Sequence, residues 1–187
     1  MQALLLLAAL SAAQQTSARA QLEAVAQVPE SEDADGDFKL SPLTTPRLAQ
    51  VDEGLWRSGQ PSREGLEQLA KAGVKTVLSL RERVDEEERR EAARLGMKVE
   101  NVPILGFLMP TFSQVDRALA VLNDPAKRPV AVHCRHGKDR TGVVVAAYRV
   151  KKGLPVKQAA AEAKSFGCCI PGYRDLEKYL SDYQARN

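Results

Sequence analysis

The stretch Val130 to Val145, VAVHCRHGKDRTGVVV, constrains the fold of this chain more than any other. The apolar run after Pro129 reads as a buried strand. A helical pattern opens at Val143 and runs towards Gly153, a plausible terminator. Between them lie one thiol, two glycines and five basic groups. A strand, a tight loop and a helix N-terminus in that order make an anion site. Unpaired backbone N–H groups and the positive end of the helix dipole converge there. Gly137 lets the loop turn inward without a Cβ cost. Arg140 can grip two oxygens of a phosphate with its planar fork. Cys134, at the start of the loop, is expected as a thiolate held against a bound oxyanion. That pairing suits a nucleophile for phosphoryl transfer.

The run Cys134-x5-Arg140, preceded by His133 and followed by Thr141-Gly142, resembles the signature loop of the cysteine-dependent protein tyrosine and dual-specificity phosphatases. Upstream, Leu55-Trp56-Arg57-Ser58-Gly59-Gln60-Pro61 and the stretch Val74 to Arg81 resemble the entry segment of the atypical dual-specificity branch found in bacteria, plants and fungi. The similarity runs over residues 48–183. It implies a one-domain α/β fold, with a central, mostly parallel sheet of four to five strands flanked by helices. The order of β and α segments suits that architecture, with the loop at the carboxyl end of its strand.

The resemblance implies a phosphoric monoester hydrolase working through a phosphocysteine. Cys134 would attack phosphorus, while Arg140 and the loop residues Arg135, His136, Gly137, Lys138 and Thr141 would hold the phosphoryl oxygens. The Thr141 hydroxyl could bond the departing sulfur in the second step. His133 would either orient the thiolate or serve only structurally. No cofactor enters this chemistry. No metal is expected either, because two histidines and three cysteines show no repeated ligand spacing.

The proton donor is less evident. Better-known tyrosine phosphatases carry an acidic residue on a mobile loop, but Leu105 to Phe112 here holds none. Asp116 falls within the following helix, where it is expected to face solvent. Asp139 is the candidate, in an arrangement similar to the Cys-x-x-Gly-x-Asp-Arg of myotubularin-like lipid phosphatases. Substrate or water is the other source of the proton. Alternatively, Asp139 only pairs with Arg140 or Lys138 to order the loop.

Two substrate classes stand side by side. The resemblance points first to phosphotyrosine or dual-specificity activity on phosphorylated proteins. Arg135, His136 and Lys138 add charge beyond the needs of one phosphomonoester, which favours inositol polyphosphates or phosphoinositides. If Arg135 and Lys138 face solvent, that argument weakens. A catalytically silent phosphate-binding module and a sulfur-transfer or arsenate-reducing enzyme are the competing classes. The intact Cys134 and Arg140 oppose the first, and the Arg140-Thr141-Gly142 ending opposes the second.

The rest of the chain frames this domain. Residues 1–20, with the apolar core Ala3 to Leu10 and the ending Ala18-Arg19-Ala20, read as a secretory signal, so a periplasmic or secreted protein is expected. Their apolar run is too short to span a bilayer comfortably, and no stable membrane insertion is expected. Residues 21–46 read as a disordered acidic linker, since Glu30 to Asp37 holds no large apolar side chain. Asp33-x-Asp35-x-Asp37 is no calcium loop, because Phe38 stands in the glycine's place and Thr44 in the bidentate glutamate's. Residues 47–187 form the phosphatase domain. A net charge of +3 is too small to argue for nucleic acid. The charge-dense run from Arg81 to Arg90 is expected as a solvated helix face. Cys168 and Cys169 are read as buried small residues; a disulfide is open to an exported protein, with one of three thiols unpaired in any case, and a resolving thiol for Cys134 is the other alternative.

Overall fold

The computed structural model describes residues 45–173 and 175–186. The expected signal segment, and all but the last two residues of the expected linker, lie outside them. Thr45 and Pro46 belong to the domain rather than to the linker. Thr45 is buried, its hydroxyl filling the space a Cβ on Gly65 would need. Pro46 accepts the Gly59 N–H at 2.6 Å.

The elements follow as β1 (Ala49–Asp52), β2 (Leu55–Ser58), α1 (Arg63–Lys71), β3 (Thr76–Ser79), α2 (Glu86–Arg94) and β4 (Lys98–Asn101). After them come α3 (Phe112–Asn123), β5 (Val130–His133), α4 (Asp139–Lys151), α5 (Val156–Ser165) and α6 (Leu176–Ala185). One sheet of five strands has the order β1-β2-β5-β3-β4. All neighbours are parallel except β1 with β2, in agreement with the expected fold class. Edge strand β1 is legible in hindsight only, because Ala-Gln-Val-Asp lacks both an apolar run and a β-branched pattern.

β5 is central and buried on both faces, as parallel sheets require. Val130 and Val132 point into the larger core beneath α3, α4, α5 and α6, while Ala131 points into the smaller one with Leu66, Leu69, Val77 and Met97. The period of two along the strand sends alternate side chains to opposite cores. Helix α1 starts where Ser62 accepts the Gly65 N–H at 3.2 Å. Helix α3 starts with a capping box, Thr111 and Gln114 serving each other's backbone.

Helix α4 has apolar side chains on every face and lies buried between the sheet and its neighbouring helices. It begins at Asp139, four residues before the apolar pattern suggests. Gly142 N donates to Lys138 O at 2.8 Å, so Asp139, Arg140 and Thr141 form its first turn. Ser58 and Ser79 both stand in register with His133. Three parallel strands thus end together, and the loop after β5 emerges at their shared carboxyl edge.

Candidate active site

Cys134 follows β5 directly and is buried, and it is the free cysteine among the described residues. Its Sγ accepts the Gly137 N–H at 3.2 Å. Gly137 has φ +75°, and a Cβ there would stand 2.5 Å from Gly59 N and 2.7 Å from Ser58 C. Only glycine fits both that dihedral and that approach. The loop therefore closes against the end of β2 and delivers its chain into the N-terminus of α4.

Arg140 is buried in the first turn of α4. Its Nη1 donates to Ile104 O at 3.1 Å and Leu80 O at 3.4 Å, and lies 3.4 Å from Glu82 Oε2. The guanidinium is held by one end, and among the described residues its Nε and Nη2 have no protein acceptor. That edge is the one suited to two oxygens of a phosphoryl group. Glu82 also accepts the Gly106 N–H at 3.0 Å, linking Arg140 to the segment Leu105–Pro110. A hydrogen bond from its own backbone, then Arg140 and the Gly106 N–H, keep Glu82 below the usual carboxylate range, against an opposing burial cost. On that segment Leu105, Phe107 and Leu108 are exposed, Phe107 at 82%.

The outer side of the loop is held from across the fold. Gln60 N donates to Arg135 O at 3.1 Å, Arg47 Nη1 to His136 O at 3.1 Å and Arg57 Nη2 to Gly137 O at 2.9 Å. The loop peptides are trans, since the cis bonds among the described residues are at Arg128–Pro129 and Cys168–Cys169. A trans peptide points its C=O and N–H in opposite directions. Three carbonyls turned outward in succession therefore turn the N–H groups of His136, Gly137 and Lys138 inward, as a cradle for an anion. Arg47 carries no sequence signal of this task. Arg57 and Gln60 stood out only as part of the resembling segment.

His133 lies fully buried behind the nucleophile. Its Nε2 is 2.9 Å from Glu88 Oε1, and its Nδ1 is 3.2 Å from Cys134 O. The contact to Cys134 runs through the backbone carbonyl and not through the sulfur. Glu88 corrects the reading of Arg81–Arg90 as a solvated face. Helix α2 turns Glu88, Glu91 and Ala92 inward at spacings of three and four. Glu88 is 5% exposed, with His133 and the Gln60 amide at 3.3 Å as its partners. Glu91 is served by Arg94 at 2.6 Å and Arg63 at 3.8 Å. Spacing relative to Ala92 was the available signal, masked by the charge of the run.

The other predicted residues divide. Thr141 is buried, and among the described residues its hydroxyl has no hydrogen-bond partner. Asp139 pairs with neither Arg140 nor Lys138, and its Oδ1 accepts the Ile170 N–H at 3.0 Å. Arg135 and His136 are exposed, and Lys138 lies along Gly167, where a Cβ would meet its Cε at 3.3 Å. Burial, followed by the like charges of Arg135, Lys138, Arg47 and Arg140, holds His136 below its ordinary value of 6.5. Asp116 is exposed as expected and accepts the Tyr183 hydroxyl at 2.5 Å. Cys168 and Cys169 are joined to each other as a vicinal disulfide.

The assembled site offers a sulfur nucleophile, inward N–H groups, a helix N-terminus and one arginine edge to a single tetrahedral anion. A family model described as a DSP-PTPase phosphatase fused to NAD+ kinase matches residues 22–178. Probable NAD kinase 2, chloroplastic, of Oryza sativa subsp. japonica is 34% identical over 106 residues, which cover 54% of this chain and 11% of that protein. Inositol diphosphatase DSP4 of Arabidopsis thaliana is 33% identical over 132 residues, 65% of each chain. Dual specificity protein phosphatase TpbA of Pseudomonas aeruginosa is 35% identical over 127 residues, 64% of this chain and 54% of that one. The TpbA crystal structure superposes with a TM-score of 0.62 at 25% identity, covering 76% of this chain and 91% of the other. This chain thus spans only part of the length of the curated relatives it matches.

Proposed function

The chain belongs to the DSP-PTPase family of dual-specificity-type phosphatases, and from that membership we propose that it hydrolyses phosphomonoesters through a phosphocysteine intermediate. The carrying observation is the placement of Cys134 Sγ at the floor of a cradle whose N–H groups are turned inward by three held carbonyls. The Cys134 thiolate attacks phosphorus, forming the P–S bond as the P–O bond to the leaving group breaks. Asp139 gives its proton to the leaving oxygen. Water then attacks the phosphocysteine and gives a proton back to Asp139. The P–S bond breaks, and inorganic phosphate and the thiolate are regenerated. Arg140 and the cradle N–H groups hold the equatorial oxygens throughout, where preorganised charge lowers the barrier most.

The substrate favoured by the rim is a phosphotyrosine side chain in a protein. Leu105, Phe107 and Leu108 present apolar surface on the segment tied to Arg140 through Glu82, a suitable wall for an aryl leaving group. A second reading, inositol polyphosphates, is supported by the exposed Arg135 and His136 on the loop and by relatives named inositol diphosphatases. Phosphate release from a phosphotyrosine peptide and from inositol hexakisphosphate, measured side by side without added metal, separates them. The Cys134→Ser variant should retain phosphate binding and lose turnover. Turnover that persists in this variant excludes the mechanism.

Residues 1–20 support export as a further part of the proposal, and the family model begins to match just beyond them, at residue 22. N-terminal sequencing of the protein recovered from outside the cytoplasm should begin near Gln21. An intact Met1 on the recovered protein would reject cleavage.

A further inference from the structure

We infer that Arg57 is a positioning residue of this site, which fixes the Gly137–Lys138 peptide of the phosphate loop and supplies a buried positive charge to Cys134 and the bound phosphoryl group. The inference rests on the phosphatase reading above and adds to it a group that touches neither substrate nor sulfur.

The first ground is an imbalance. Arg57 is 1% exposed, with its guanidinium 3.7 Å from the centroid of the Phe166 ring. Its Nη2 bonds Gly137 O, while among the described residues the buried Nε and Nη1 have no hydrogen-bond partner. Among the described residues no carboxylate lies within ion-pair distance of it. A buried guanidinium is ordinarily matched by an anion, because removing a charge from water is costly unless another charge or a full set of acceptors replaces the lost hydration. Burial pushes Arg57 down to about 10, with Glu162 and then Cys134 opposing the shift, so it stays charged at neutral pH. Glu162 is itself engaged by Arg149 at 3.1 Å. An anion at the cradle is the unclaimed counter-charge.

The second ground is direction. With Gly137 O drawn toward Arg57, the trans peptide sends the Lys138 N–H the opposite way, into the cradle. The same glycine donates its own N–H to Cys134 Sγ. One residue thus joins Arg57 on the outside to the nucleophile on the inside. Arg47 repeats the arrangement one peptide earlier, and its Nε also bonds Phe166 O at 3.1 Å. Phe166 therefore backs both arginines, against Arg57 through its ring and against Arg47 through its carbonyl.

The test follows alkylation of Cys134 in the full chain, read on the Cys134 peptide by mass spectrometry at pH 6. Iodoacetate, an anion, is compared with neutral iodoacetamide, each with and without inorganic phosphate. In Arg57→Met the iodoacetate rate should fall about tenfold and the iodoacetamide rate less. The phosphate concentration giving half-protection should rise about tenfold. Arg57→Lys, which keeps the charge, should recover much of the iodoacetate preference. A folded Arg57→Met with an unchanged iodoacetate-to-iodoacetamide ratio and unchanged protection overturns the inference. If no variant at position 57 folds, Phe166→Leu, which removes the ring beneath the guanidinium, should lower the ratio in the same direction, and an unchanged ratio there overturns it. Alkylation requires no turnover. A wild-type chain inert on every phosphomonoester would reject the proposed function and leave this measurement readable.

Discussion

His133 and Glu88 meet at 2.9 Å in the interior, joining the last residue of β5 to a helix that the sequence presents as a surface element. Both ring nitrogens of His133 face oxygen acceptors, the Glu88 carboxylate and the Cys134 carbonyl. The ring is thereby fixed from both sides, by the carboxylate across the fold and by the backbone of the nucleophile. The pair thus holds the backbone from which the phosphate loop departs.

Removing one member should be costly. Glu88→Ala leaves a buried His133 ring nitrogen without its partner, and a loss of about 1–3 kcal/mol is expected in urea unfolding. Glu88→Gln keeps shape and one acceptor, so it should lose less stability while still lowering kcat. A Glu88→Ala variant as stable as the parent would show that the contact contributes nothing to the fold.

Gly137 and Gly96 separate steric from conformational cost. Both have positive φ, +75° and +77°, but a Cβ at Gly96 meets nothing within 4 Å. Gly96→Ala should cost about 1 kcal/mol and leave kcat/KM unchanged. Gly137→Ala would force the loop away from Ser58 and Gly59, with a fall in kcat/KM of about 100-fold or more. Equal effects at the two sites would mean that the close approach to β2 is unimportant.

Asp139 can be tested through the leaving group. Asp139→Asn keeps an oxygen to accept the Ile170 N–H, so the local fold should persist. An alkyl phosphate needs its leaving oxygen protonated and should slow by about 10²–10⁴-fold. An activated aryl phosphate such as p-nitrophenyl phosphate should change little. If both substrates slow equally, the proton comes from elsewhere.

His136 predicts a pH dependence of stability. Its folded value is depressed below 6.5, so between those limits the unfolded chain binds a proton that the folded chain refuses. The contribution is therefore intact above about 6.5 and is withdrawn as pH falls through the unfolded and then the folded value. Thermal melts of His136→Gln between pH 7.5 and 5 should show a flatter decline than the parent. A parallel decline would assign the slope to other groups.

The amino-acid sequence alone determined the chemistry of the loop. Cys134, Gly137 and Arg140 lie within one strand–turn–helix unit, where local backbone geometry converts spacing directly into position. The same locality made β3 and β5 legible as continuous buried runs, and α1 and α3 by their side-chain caps. Edge strand β1 carries no such run and was invisible. Tertiary structure decided what holds the loop. Glu88 is 45 residues from His133, Arg57 is 80 from Gly137 and Arg47 is 89 from His136. They meet because parallel strands β2, β3 and β5 all end at one edge of the sheet. No periodicity in the chain marks that convergence. An arginine in a strand or a glutamate in a charged run reads as a solvated side chain until the fold supplies the opposite charge or the carbonyl that justifies burying it.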